Sequence, residues 1–177
     1  MNTASVLLIV SSSVFILLSL FLKNSNFLDV RFIISQHFKV FDSNRLQLVS
    51  IFIVPLFLAI GITMVKCVDR DILNNLNIVL SIIIAMYFSV LSILSAFSKE
   101  NKSENYQKLL KETFNSTVFE AILCLLLLVV SFTILFIGYY SKSIALYIVS
   151  VIIYYLSIVI TLNTLVVIKR IKVLFDN

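Results

Sequence analysis

Five apolar runs, residues 4–22, 46–65, 76–97, 117–140 and 144–168, dominate this chain and hold one charged side chain among them, Glu120. A hydrocarbon core about 30 Å thick is crossed by roughly 20 apolar helical residues, and each run meets or approaches that length. Backbone N–H and C=O groups find no water there, so each run must satisfy its own by forming a helix. The period-two alternation of a membrane barrel is absent. The expected fold is therefore all-α: a polytopic transmembrane helical bundle of about five spans, a single integral membrane domain over residues 1–177.

Composition points the same way. Hydrophobic residues make up 60% of the 177, against about 45–50% in soluble domains. A soluble fold of this size has too little interior to hide that excess, which would surface as sticky patches. The charged 13% sit in short clusters between the runs.

The positive charges set an orientation. Segment 23–45 holds Lys23, Arg31, Lys39 and Arg45, segment 98–116 holds Lys99, Lys102, Lys108 and Lys111, and the tail holds Lys169, Arg170 and Lys172, eleven in all. The alternate connections hold three, Lys66, Arg70 and Lys142. By the positive-inside rule, both long connections and the carboxyl end face the cytoplasm and the amino end lies outside. No Lys or Arg precedes the first run and no Ala-x-Ala site follows it, so it reads as a span and not as a cleaved signal. Four spans would leave the same loops on the same side, so this crossing alone is dispensable to the orientation. Abundant Ile, Leu, Asn and Lys with no Trp suggests an AT-rich bacterial genome, hence a bacterial inner membrane. The net charge of +5 is then matched to anionic headgroups, which disfavours nucleic acid as a partner and makes membrane lipid one.

Both long cytoplasmic connections are amphipathic. Phe27, Val30, Ile34, Phe38 and Phe41 recur at steps of three and four, the apolar face of a helix lying along the inner leaflet. Tyr106, Leu109, Leu110 and Phe114 repeat the pattern before the fourth run, and Asn101 with Glu104 has the spacing of a helix start. Without Pro or Gly between Asn101 and Ile137, this helix is expected to run unbroken into the membrane, projecting about two or three turns beyond it.

Polar stripes mark the spans. In the fifth, Ser143, Tyr147, Ser150, Tyr154, Ser157, Thr161 and Thr164 alternate steps of four and three, the seam of a shallow left-handed crossing. Its packing reading, small and hydroxylated residues bonding helix to helix, outweighs its reading as a wet pore wall. The third span carries a candidate packing stripe of Ser81, Ala85, Ser89, Ser92 and Ala96, and the first carries Ser5, Ser12 and Ser19. Stripes on several helices leave surface for copies of the same chain, so a homo-oligomer is expected. Glu120 falls near the cytoplasmic end of its span, on one side with Thr117, Cys124 and Ser131. An intramembrane acid is a functional candidate, but at this depth it is expected to snorkel to the headgroups and pair with Lys169 or Arg170. Pro55, six residues before Gly61, is expected to bend the second span.

Enzyme signatures are missing, and no catalytic, cofactor-binding or metal-binding residues are assigned. Cys67 and Cys124 lack metal spacing and read as apolar fillers; no Gly-x-Ser-x-Gly, phosphate loop or His-Glu-x-x-His occurs. Arg31 and His37 form an Arg-x-x-x-x-x-His string that resembles the motif of the higher eukaryote and prokaryote nucleotide-binding ribonucleases, but on one helix the two lie about 120° apart. Coupled transport, which needs interrupted helices and buried charge, ranks below the other readings.

The plan of spans, two amphipathic inner connections and a basic tail of Lys169, Arg170 and Lys172 resembles the small polytopic membrane subunits of bacterial anti-phage systems, such as that of Kiwa. The resemblance implies a protein that senses membrane disturbance or alters permeability beside a cytoplasmic partner. The expected function is a non-enzymatic, self-associating membrane protein that docks a soluble partner or lipid through Arg31, His37, Lys39, Lys102, Lys108, Lys111, Lys169, Arg170 and Lys172; a pore or depolarising channel, then a small-solute transporter, are the alternatives.

Overall fold

The computed structural model describes residues 3–19, 30–39, 41, 45–97, 103–137 and 144–176. It is all-α, with no strand among the described residues. The helices are α1 (Thr3–Ser19), α2 (Val30–Lys39), α3 (Arg45–Leu48), a π-helical turn (Val49–Ile53), α4 (Val54–Val65), α5 (Arg70–Phe97), α6 (Glu104–Ile137) and α7 (Ile144–Asp176).

Four helical stretches are long and apolar enough to cross a membrane: Leu46–Val65, Arg70–Phe97, Glu104–Ile137 and Ile144–Asp176. The first run forms α1, 17 residues long; the expected end of that span, residues 20–22, lies outside the described residues, as does Phe27 of the expected amphipathic face. The third span begins earlier than hydropathy suggests. Asp69 Oδ1 accepts from the Ile72 N–H at 2.9 Å, capping α5, whose first residue lies six before the start of the apolar run.

The second spanning stretch owes its irregularity to Pro55. Proline has no N–H to offer the carbonyl four residues back, and the chain absorbs the fault by widening one turn: the Val54 N–H bonds the Val49 carbonyl, five residues back. Gly61 causes no further departure, and a Cβ there would meet open space.

Helix α6 is the centre of the bundle, packing against α5, α7, α2 and α1, while α4 packs on the far side of α7. Its buried positions Tyr106, Leu110, Thr113, Thr117, Glu120, Cys124, Leu127 and Ser131 alternate steps of four and three, a left-handed seam. On α5 the matching seam is Leu73, Asn77, Leu80, Tyr87 and Leu94, and on α7 it includes Leu146, Ser150, Ile153, Ile160 and Val167. The main core gathers Leu73, Leu80, Tyr87, Cys124, Leu127, Ile153 and Ile160. A second, smaller core of Leu94, Tyr106, Leu110 and Leu174 joins the end of α5, the start of α6 and the end of α7.

Candidate functional site: a basic projection above a buried polar layer

Helices α6 and α7 have 34 and 33 residues, about 50 Å each at 1.5 Å per residue, so each exceeds a 30 Å hydrocarbon core by roughly 20 Å. The surplus falls at the end where the sequence places its cations. Ser103 starts α6, its Oγ accepting from the Tyr106 N–H at 3.4 Å and its carbonyl from the Gln107 N–H at 3.0 Å; the expected Asn101 start lies outside the described residues. From there the helix is unbroken to Ile137. The second core locks the projection into one piece, with Phe97 edge-on to Phe175 at 5.5 Å.

The projection presents Lys108, Lys111, Lys169 and Lys172 in exposed positions. Arg170 does not belong to that free set, because its Nη1 donates to Glu112 Oε2 at 3.3 Å across α6 and α7. Lys102 lies outside the described residues, and Arg31 and Lys39 are described only as members of α2.

His37 departs from its expected place on a docking face. It is 1% exposed, stacked on Phe119 of α6 at 4.0 Å and 17°, with Phe38, Phe41 and Phe52 edge-on around it. Neither ring nitrogen has a hydrogen-bond partner among the described residues. Burial, and then the charge of Arg170, depress its pKa from 6.5 to about 4; both act against the imidazolium. The amphipathic face that hydropathy assigns to the leaflet therefore packs partly on α6, and a histidine between phenylalanines behaves there as an aromatic ring.

Beneath the projection lies a layer of buried polar groups. Glu120 is 0% exposed, so the expected snorkelling and the pairing with Lys169 or Arg170 do not occur: the seam turns this carboxyl inward, and Arg170 is engaged by Glu112. Asn163, on α7, is equally buried and lies beside the Glu120 carboxyl. The hydroxyls of Thr113 and Thr117 are bonded back to Leu109 and Thr113 carbonyls. Among the described residues no group of His, Cys, Asp and Glu is arranged to hold a metal ion.

The hydroxyl stripe of α7 divides by position. Ser150 is buried, its Oγ accepting from the Val68 N–H at 3.0 Å and donating to the Leu146 carbonyl at 2.7 Å. Tyr154 donates to the Lys66 carbonyl at 3.1 Å, and the Thr164 hydroxyl is 2.6 Å from that of Tyr87. Ser157 and exposed Thr161 bond back within their own helix, Tyr147 is half-buried, and Ser143 lies outside the described residues. Three stripe members thus clamp α7 to α5 and to the short connection between α4 and α5. That connection carries a Lys66–Asp69 ion pair at 2.8 Å, which raises the lysine and lowers the carboxyl from their ordinary pKa values through the shared hydrogen bond.

The α5 stripe faces away from the rest of the bundle. Ser81, Ala85, Ser89, Ser92 and Ala96 are all exposed among the described residues, because the seam of Leu73, Leu80, Tyr87 and Leu94 takes the opposite face. On α1, Ser12 is exposed and Ser13 makes the contact instead, at 2.8 Å from Thr133. Sequence reasoning also missed Asn163 and Tyr87, isolated polar residues without periodic companions.

No protein-family model, curated protein or solved structure matches this chain.

Proposed function

We propose that this protein is a non-enzymatic, self-associating membrane component that docks a soluble cytoplasmic partner, as a membrane subunit of an anti-phage system would. The supporting observation is the projection: α6 carried about 20 Å and α7 about 12 Å past their apolar runs, locked by their own small core, and bearing exposed Lys108, Lys169 and Lys172. A connection that served only to link spans would need neither that length nor that rigidity. The positive-inside bias supports a cytoplasmic position for this end, in a reading that takes the membrane to be a bacterial inner membrane. Self-association is read on the outward α5 stripe, where small residues permit close helix approach.

The test is photocrosslinking in intact cells from positions 108 and 172. A single soluble protein captured at both, and lost when Lys108, Lys169 and Lys172 are changed together to Glu without loss of membrane protein, supports the reading. Capture unaffected by charge reversal, or crosslinks to lipid alone, defeats it. Cysteine at Ser89 and Ser92 should give disulfide-linked dimers in membranes. The pore reading has less support, since Ser150, Tyr154 and Thr164 are tied up inside one chain.

A further inference from the structure

Between the end of α5 and the first half of α6 lies a recess of 420 Å³, lined by Leu94, Ser95, Gln107, Leu110, Lys111 and Phe114. That size falls within the range of about 300–1,000 Å³ usual for small-molecule sites. Its lining is graded along the bundle axis. Helix α6 runs from the projection toward the membrane, so Gln107 and Lys111 lie on the aqueous side and Phe114 deeper; α5 runs the opposite way, which sets Leu94 deeper than Ser95. Lys111 precedes the apolar run at Thr117 by six residues, or about 9 Å of helix, the depth of a headgroup layer.

The cation is uncommitted. No described residue forms an ion pair with Lys111, which is exposed. A neighbouring recess of 190 Å³ holds Gln47, Lys169 and Arg170, but its guanidinium is already bonded to Glu112. Basic pockets between spanning helices on the cytoplasmic side are suited to anionic headgroups, and the apolar side chains lining the larger recess, with Phe114 the deepest on α6, suit an acyl chain and disfavour a bare ion.

We propose that the α5–α6 recess binds one anionic phospholipid, with the Lys111 ammonium on its phosphate and Leu94, Leu110 and Phe114 against the upper part of its acyl chain. The inference goes beyond partner docking and does not depend on it, needing only that this end sits at headgroup depth. Native mass spectrometry of the full chain in non-ionic detergent, titrated with phosphatidylglycerol and phosphatidylcholine of identical chains, tests it. One phosphatidylglycerol per chain is expected to bind with roughly fivefold or greater preference, about what one lysine near the surface supplies. Lys111→Gln should remove most of that preference, Lys111→Arg should keep it, Arg70→Gln at the opposite end should leave it alone, and Phe114→Ala should weaken both lipids alike. Equal binding of the two lipids by the unaltered chain overturns the proposal, as does an undiminished preference in Lys111→Gln. Displacement of the lipid by inorganic phosphate alone would assign the recess to a free anion, and a soluble protein displacing it would assign the recess to that partner.

Discussion

An imidazole enclosed by phenylalanine rings has a definite pH signature. His37 is neutral in the fold and its pKa is held down to about 4, whereas the unfolded chain takes up the proton near 6.5. Its contribution is therefore fully present above pH 6.5 and is lost as pH falls from there toward 4, by up to about 3 kcal/mol. Melting temperatures of the wild type and of His37→Phe, measured across pH 7 to 4, should diverge in that window, with the phenylalanine variant giving the flatter profile; parallel profiles would show that the ring is not enclosed. Glu120 makes the opposite demand. Glu120→Gln keeps the shape and a polar group beside Asn163 and should change stability by no more than about 1 kcal/mol, a few degrees of melting temperature at most. Glu120→Lys should prevent accumulation in the membrane, because a longer cation would be forced into the same closed seam. Tyr87→Phe, which removes the hydroxyl beside Thr164, should cost about 0.6 kcal/mol, and Leu127→Ala about 2–5 kcal/mol through the cavity it leaves.

Individual helices were legible to different degrees. Span length, helicity and the unbroken run of α6 follow from hydropathy and from the lack of Pro and Gly, which act locally. Which face of α5 turns inward does not. Two stripes of similar spacing lie on that helix, one of Ser and Ala, the other led by Leu73, Leu80, Tyr87 and Leu94. In lipid the outer face is as comfortable for leucine as the inner, so no hydrophobic force separates them; size complementarity with α6 decides, and it is invisible in one helix read alone. The capping of α5 by Asp69 was not anticipated, and the π turn before Pro55 was legible in kind but not in position. That turn sets Phe52 against His37 and Phe38, the latter at 5.0 Å. Deleting Ser50 should restore regular α-helix and rotate Phe52 by about 100°, abolishing the pH-dependent difference predicted for His37. Gly61→Ala, where a Cβ meets open space, should be neutral or stabilise the chain by up to about 1 kcal/mol.

For the molecule as a whole, the decisive prediction is its sidedness. Cysteine introduced at Lys108 or Lys172 should react with impermeant thiol reagents only after the cells are opened, and cysteine at Arg70 should react in intact cells; the reverse pattern would place the projection outside and remove the docking proposal with it. The central place of α6 has a mechanical corollary. Two rods much longer than the hydrocarbon core is thick have no fixed draught: thinning or stretching the sheet slides the waterline along them, and tilt takes up the difference at a cost of fractions of a kcal/mol per Å. Because α6 also braces α1, α2, α5 and α7, any such heel is handed at once to the whole superstructure on the basic side.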